Sequence, residues 1–190
     1  METKEKIFMK AAEMFLEYGY DGTPMSKIAK ELGISKAGLY HHYPDKESLL
    51  FAAIDYGYQK LSGPLLKETK KILDPEKQLV FFLRGYAEIM TIDPGSRLGI
   101  HEAGKLKPEH FNKIKKIWQT TFDIFRDAIS EMQKSGKAKK INSTYAAFAA
   151  IGMCSWIFYW FDYSRQENAE ELAETFVEIF LRGITQETDH

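Results

Sequence analysis

Apolar side chains recur along almost the whole chain at intervals of three and four residues, the spacing that places them on one face of an α-helix. No long stretch alternates between apolar and polar residues with a period of two, so the pattern predicts no β-sheet. Glycine and proline divide the pattern into segments of helical length. We therefore expect an all-α fold of about nine helices.

The start of the pattern predicts two helices joined by a short turn. Ile7, Ala11 and Phe15 lie on one face of the first helix, which Gly19 is expected to end in a left-handed conformation. Thr23-Pro24 has the residue types of an N-cap and a first helical residue. The second helix is therefore expected to begin with Thr23 as its cap.

Two further helices follow within the next 30 residues. Gly33 supplies a turn, and Ser35 has the residue type that caps a third, short helix. Pro44 stops this helix, because the residue before a proline is disfavoured in helical conformation. Asp45 is then expected to cap a fourth helix, which Gly63-Pro64 breaks or bends.

The remainder of the chain predicts longer helices. Pro75 and Pro108 each stand where a helix opens, and Ser143 is expected to cap a third, strongly apolar one. The last helix covers residues 172–184. Residues 93–107 contain a proline and three glycines, so we expect an irregular segment or a short helix there.

The segment from Ile28 to Lys46 has the features of a helix-turn-helix. Two short helices joined by a three- or four-residue turn containing Gly33 form this layout, with Ile34 and Leu39 holding the pair together from inside. The outer side of the third helix is then free to enter a major groove. It carries Lys36, Ala37, Tyr40 and His41.

In this region the chain closely resembles the TetR family of transcriptional regulators. Spacing and order hold over about 45 residues, at Phe15, Gly19-Tyr20, Thr23, Ile28-Ala29, Gly33-Ile34-Ser35, Gly38 to Tyr43 and Lys46 to Leu49. The resemblance implies an N-terminal three-helix DNA-binding domain at residues 1–46. It also implies a helical ligand-binding and dimerisation domain at residues 47–190.

The resemblance further implies which side chains meet DNA. Lys36 and Ala37 align with the start of the recognition helix, where base edges are approached, and Tyr40, His42 and Lys46 align with phosphate contacts. The predicted DNA-binding set is Lys27, Ser35, Lys36, Ala37, Tyr40, His41, His42 and Lys46. A packing role is the alternative for Tyr40.

Two positions depart from the family pattern, Met25 and Tyr43, and Tyr43 replaces the commoner phenylalanine and adds a hydroxyl that needs a partner or water. Met25 stands where the family often has a threonine that contacts phosphate, so Thr23, Ser26 or Lys27 is expected to compensate. Lys30 is either part of the same basic surface or an ordinary solvated side chain.

Residues 146–161 form a 16-residue run without a charged side chain. A membrane-spanning helix needs about 20 apolar residues, so we expect a buried or interface helix instead. In the family, the last two long helices of each subunit pair with their twins as a four-helix bundle. The predicted dimer-interface residues are Ala149, Trp156, Leu172, Phe176 and Phe180. The alternative is that both helices are buried within one chain.

Ligand pockets in this family lie among the middle helices, and this chain is rich in aromatic residues there. The predicted ligand-binding residues are Phe82, Tyr86, Met90, His101, Trp118, Phe122, Phe125, Met153, Trp156 and Trp160. Such a pocket favours a small hydrophobic or aromatic effector. For each of these side chains an ordinary core position is the alternative.

Overall charge does not identify a DNA-binding protein here. The formal net charge is −1, and the first 50 residues hold seven lysines against eight acidic residues. The DNA prediction therefore depends on where the charges lie. Between residues 26 and 43 three lysines oppose Glu31 alone, whereas the C-terminal end is acidic.

Other chemistry has little support in the sequence. We find no nucleophile elbow, phosphate-binding glycine loop or catalytic cysteine–histidine pattern, so we expect neither an enzyme nor a cofactor. His41 and His42 are adjacent in a helix and point about 100° apart, so no metal site is expected. Cys154 is the sole cysteine and the N-terminus lacks a secretory hydrophobic stretch, which is typical of a cytoplasmic protein.

These features predict a homodimeric, ligand-responsive regulator that binds a double-stranded DNA operator. By analogy with the family, a repressor released by its effector is expected. The alternatives are an activator of the same family and a helical small-molecule-binding protein without a DNA function.

Overall fold

The structure is a computed structural model that describes residues 3–161 and 168–185. Within these ranges the chain forms α-helices and short helical turns, with a single isolated bridge between Ala138 and Thr185. The helices are α1 (Thr3–Tyr18), α2 (Met25–Glu31), α3 (Lys36–His42), α4 (Lys46–Gly57), α5 (Gly63–Thr69), α6 (Pro75–Ile92), α7 (Pro94–Glu102), α8 (Pro108–Lys134), α9 (Ser143–Ser155), α10 (Ile157–Trp160) and α11 (Ala169–Ile184). The all-α prediction is confirmed.

The described helices outnumber the predicted ones for two reasons: the helix expected from Ser143 onward is divided at Trp156 into α9 and α10, and the expected fourth helix continues beyond Ser62 as α5. A π turn at Tyr58–Ser62 links α4 to α5, so the chain stays helical where Gly63-Pro64 was expected to break or bend the fourth helix. Pro64 is the second residue of α5. Residues 93–107 contain α7 and a 3₁₀ turn at Ala103–Lys105.

The chain forms two compact units. The first comprises Met1–Ser62 and Asp93–Lys116, and the second comprises Gly63–Ile92 and Ile117–His190. This structural division does not fall at the predicted domain boundary of residue 46, because α1 and α7 both pack against α4. The functional boundary at residues 46/47 remains a prediction.

The core of the first unit lies where α1, α4 and α7 meet. Phe15, Leu49 and Leu98 are completely buried there. Helices α4 and α7 approach closely at Gly57 and Gly95, since a Cβ on Gly95 would lie 3.1 Å from the Gly57 Cα. This approach fixes α4, the helix that follows the helix-turn-helix.

Local signals set most helix ends of the first unit as expected. Gly19 and Gly33 have φ angles of 73° and 67°, the left-handed conformation that glycine adopts without strain. Ser35 accepts a hydrogen bond from the Gly38 N–H at 3.0 Å, and Asp45 accepts one from the Ser48 N–H at 2.7 Å. The predicted caps of α3 and α4 are confirmed.

Two predicted caps are wrong. Thr23 is completely buried, and its hydroxyl donates to the carbonyl oxygens of Met14 and Gly19 at 3.1 and 2.8 Å. It therefore secures the end of α1 and does not cap α2. Its burial also excludes Thr23 as the residue that compensates for Met25 at phosphate, which leaves Ser26 and Lys27, both of which reach solvent. Asn142, one residue before Ser143, caps α9 by accepting from the Thr144 and Tyr145 N–H groups.

The second unit is built on α6, which packs against α5, α9, α10 and α11. Its fully buried side chains include Leu79, Leu83, Phe125 and Ile129. None of the described helices is both long enough and apolar enough to cross a membrane.

Candidate nucleic-acid interface

Helix α3 is open to solvent along most of its surface. Leu39 alone among its residues is buried, and it holds the helix to the core. Tyr40 is 41% exposed. Lys36, Ala37, His41 and His42 are also exposed. The predicted recognition side chains thus lie on one short helix and are available to a partner.

The α2–α3 turn is fixed from inside the first unit. The Ile34 N–H donates to the Ala29 carbonyl at 3.0 Å, which closes the turn at Gly33. Tyr43, just after α3, is buried, and its ring meets the Phe8 ring edge-on at 5.8 Å. Burial raises the pKa of the Tyr43 hydroxyl. These contacts orient α3 without using its outer face.

Two of the predicted phosphate-binding lysines already contact tyrosines. The Lys46 ammonium donates to the Tyr20 carbonyl at 2.8 Å and lies 4.2 Å from the centre of the Tyr20 ring. The Lys27 ammonium lies 3.2 Å from the centre of the Tyr18 ring. An ammonium group has three donors, so Lys46 retains donors for a phosphate.

The segment that joins α7 to α8 makes polar contacts with the turn after α1 and with the start of α4. The sequence analysis did not predict these contacts. We call residues 102–110 the bracing segment. The Tyr20 N–H donates to Glu102 Oε1 at 3.1 Å, and Lys105 Nζ lies 2.5 Å from Asp21 Oδ2. The segment therefore secures the turn between α1 and α2.

The same segment also secures the start of α4. Lys107 donates its backbone N–H to Glu47 Oε1 at 3.0 Å and its ammonium to Asp45 Oδ2 at 2.8 Å. His110 Nδ1 lies 2.7 Å from the same Glu47 oxygen, and the His110 ring stacks on Phe51 at 3.9 Å. No local motif marks these residues, which are 59 or more positions from their partners.

Histidines do not gather into a metal site in the part of the chain that the structure describes. The rings of His41 and His42 are 5.4 Å apart, centre to centre, and meet at 67°. No group of three histidine, cysteine or acidic side chains suited to a metal ion occurs among the described residues.

The predicted ligand-binding residues separate into an interior cluster and a groove. Phe82, Tyr86 and Phe125 form the cluster, with ring centres 4.9–6.0 Å apart. Burial raises the pKa of the Tyr86 hydroxyl to about 12, and that hydroxyl lies 3.4 Å from the Ser155 hydroxyl. Met90 is buried as well.

The groove lies in the second unit and has a volume of about 310 Å³. Its lining residues are Met153, Trp156, Ile157, Trp160, Phe161, Leu172 and Phe176. Three of them were predicted for the ligand, and Leu172 and Phe176 were predicted for the dimer interface. Every described lining side chain is apolar or aromatic, so the groove suits an uncharged, hydrophobic portion of a ligand.

Three other predicted ligand residues occupy different surroundings. Trp118 is 38% exposed on α8, and Phe122 packs against Phe148 at 5.2 Å between ring centres. His101 lies exposed on α7 in the first unit, whereas the other nine predicted residues belong to the second. His101 is not among the residues that line the groove.

Helix α9 and Trp156, the residue that follows it, expose a row of apolar side chains. Tyr145, Phe148 and Trp156 are 69%, 57% and 59% exposed, and Ala149 is exposed beside them. On α11, Phe180 is buried within its own chain at 6% exposure, which counts against it as an interface residue. Its neighbour Ile179 is 58% exposed.

Comparison with known families gives matches to both parts of the chain. Residues 7–53 match the model described as "Bacterial regulatory proteins, tetR family". Residues 73–184 match the model described as "Tetracyclin repressor-like, C-terminal domain". The second match alone covers more than half of the chain.

Curated relatives match over a shorter region. An HTH-type transcriptional regulator of Bacillus subtilis (strain 168), YuxN, is 41% identical over 61 residues, which are 32% of this chain and 21% of that protein. The biofilm operon icaADBC HTH-type negative transcriptional regulator IcaR of Staphylococcus aureus (strain Newman) is 35% identical over 68 residues, which are 36% of this chain and 37% of that protein. The chain thus spans about a fifth to two fifths of these relatives.

A solved structure matches over nearly the full length. AibR, crystallised in complex with isovaleryl coenzyme A and operator DNA, is 29% identical, with a TM-score of 0.85. The alignment covers 94% of this chain and 97% of that chain.

Proposed function

Because the chain belongs to the TetR family of bacterial transcriptional regulators, we propose that it is a homodimeric repressor that leaves its operator when a small hydrophobic or aromatic effector binds. The observation that carries the proposal is the exposed outer face of α3. Lysine, tyrosine and histidine side chains suit a major groove and its phosphates, whereas a helix used only for packing would bury them.

Selection of DNA from a random-sequence pool tests the proposal. The protein would be incubated with duplexes of about 30 base pairs, which accommodate two half-sites about one helical turn apart. We expect bound duplexes to become enriched in an inverted repeat. A pool that stays random after several rounds would favour the alternative, a helical small-molecule-binding protein without a DNA function.

The apolar groove is the proposed effector site. It supports a hydrophobic ligand because its described lining carries no charge. AibR, with its bound isovaleryl coenzyme A, adds a coenzyme A thioester to the compounds worth testing. We propose that the effector favours a state in which α4 moves, with a coupling of about 1–3 kcal/mol between effector and operator.

Met153→Trp is expected to fill the groove and abolish the effector response. In the wild-type protein the dye anilinonaphthalene sulfonate should bind the groove and gain fluorescence, and the larger side chain should remove most of that gain. Operator affinity should stay within about twofold of wild type, because α3 is unchanged.

Thr175→Trp is the matched control, since it adds the same side chain at an exposed position of α11 that does not line the groove. It should keep the dye signal. Full dye fluorescence in Met153→Trp would place the apolar site elsewhere.

The exposed row on α9 is the proposed dimer interface. Solvated aromatic side chains in a row are costly in a monomer, and a twin copy would cover them. Ala149→Arg should insert a charge into this surface and convert the dimer to a monomer in sedimentation experiments. Operator affinity should fall by about 100-fold, since two linked heads bind far more tightly than one.

Gln119→Arg, on the exposed surface of α8, adds the same charge and should leave the dimer intact. If Ala149→Arg remained a dimer with unchanged operator affinity, the proposed interface would be wrong.

The similarity to IcaR, a negative transcriptional regulator, favours repression over activation, although the two chains align over 68 residues only. A reporter gene under the control of the selected operator, expressed in a bacterium, distinguishes repression from activation. Expression should fall when the protein is present, and a rise would identify an activator.

A further inference from the structure

We infer that Lys105 and Lys107, which lie outside the helix-turn-helix, raise DNA affinity by cancelling the negative charge of Asp21 and Asp45 beside the proposed phosphate contacts. The inference rests on the proposed DNA-binding function. It assigns the two lysines a positioning and charge-compensating role and not a direct contact with DNA.

The two acids flank the Lys46–Tyr20 pair along the chain. Asp21 follows Tyr20, whose carbonyl accepts from Lys46, and Asp45 precedes Lys46. Both carboxylates reach solvent, with side chains 77% and 46% exposed. A phosphate held by Lys46 would therefore approach two negative groups, and without compensation they would repel it.

Each acid forms an ion pair with one lysine of the bracing segment. Lys105 lies 2.5 Å from Asp21, and Lys107 lies 2.8 Å from Asp45 and 3.5 Å from Glu47 Oε2. The hydrogen bond from Lys105 lowers the pKa of Asp21. The hydrogen bond from Lys107, with those from Ser48, lowers the pKa of Asp45 to about 2. Both acids stay ionised near neutral pH, so their charge is balanced by the lysines and not removed by protonation.

The bracing segment holds the two lysines in register with the acids. At one end Glu102 accepts from the Tyr20 N–H, and at the other Glu47 accepts from the Lys107 N–H and lies against His110. Glu47 is buried, which makes these contacts more persistent than exposed ion pairs. Exposed ion pairs themselves add little to folding stability, so the chief consequence of the lysines is the local electrostatic potential.

A charge-paired set of variants separates compensation from direct contact. Lys107→Gln removes the positive charge, and Asp45→Asn removes the negative one. Asparagine is as good an N-cap as aspartate, so α4 keeps the oxygen that accepts from the Ser48 N–H. Lys105→Gln and Asp21→Asn form a second, independent set at the other end of the segment.

The measurement is the affinity for a duplex selected by the wild-type protein, over a range of salt concentrations, together with thermal unfolding. Lys107→Gln should weaken binding by about three- to tenfold, and the double variant should return to within about twofold of wild type. Unfolding temperatures should change little across the set. The Lys105 and Asp21 set should behave in the same way.

Three results would overturn the inference. A double variant that stays weak, with a salt slope reduced by about one, would mean that the lysine contacts phosphate directly. A weakened double variant with a lowered unfolding temperature would mean a structural role. A Lys107→Gln protein that binds as tightly as wild type would mean no role. A wild-type protein that binds no duplex would instead overturn the proposed function, and the inference with it.

Discussion

Reversing the charge at the start of α3, with Lys36→Glu, is expected to lower operator affinity by at least about 100-fold. Lys36 is exposed in the first turn of the helix, where a recognition helix approaches base edges. The change removes a contact of about 1–3 kcal/mol and adds a negative charge close to phosphates. Fluorescence anisotropy with the selected duplex measures the effect.

Lys70→Glu is the matched control. Lys70 is an exposed residue of the second unit, and its reversal changes the net charge by the same amount. It should lower affinity by no more than about twofold at 0.15 M salt, since distant exposed charges are screened there. Equal losses in the two variants would show that overall charge, and not α3, governs binding.

Adding one methyl group at the α4–α7 crossing, with Gly95→Ala, is expected to destabilise the first unit by about 1–3 kcal/mol. The new Cβ would lie 2.8 Å from the Ala53 carbonyl oxygen and 3.1 Å from the Gly57 Cα. Both are backbone atoms, so the two helices would have to separate. In a chain of this size each kcal/mol lowers the melting temperature by roughly 2–4 °C.

Gly104→Ala provides the comparison for thermal unfolding followed by circular dichroism. A Cβ at Gly104 meets no atom within 4 Å, and its φ angle is not in the left-handed region. This variant should melt close to wild type. A Gly95→Ala protein of wild-type stability would show that the close approach of α4 and α7 is not needed to hold the unit together.

The helix-turn-helix could be predicted from the sequence because its signals are local. Ser35 and Asp45 cap helices through hydrogen bonds that reach three residues along the chain. Gly33 fits a turn that other residues enter only with strain. Such bonds depend on residue type and spacing alone. Thr23 was misassigned because its type fits a cap equally well, while its burial depends on how α1 and α2 pack.

The bracing segment could not be predicted, because its partners are brought together only by the fold. Lys105 lies 84 residues from Asp21, and His110 lies 63 residues from Glu47. Nothing in the composition of residues 102–110 distinguishes lysines that pair with acids from lysines that face solvent. Their role is inferred from the distances between side chains in the structure and not from a sequence pattern.

The second unit shows what helical periodicity can predict and what it cannot. The spacing of apolar residues correctly indicated a helix at α11. It did not reveal that Phe180 packs inward while Ile179, one position away, stays in solvent. The two side chains differ by about 100° around the helix, and packing against α6 decides between them. For the same reason, the predicted ligand-binding residues combined aromatic side chains of the core with aromatic side chains of the groove.

Two copies of α3 are proposed to bind one DNA duplex. Hydroxyl-radical footprinting on a duplex that the protein has itself selected tests this directly. We expect two protected blocks related by a twofold axis and separated by about one helical turn, with both blocks lost in Lys36→Glu. Unprotected DNA, or a footprint that Lys36→Glu leaves unchanged, would contradict the proposal.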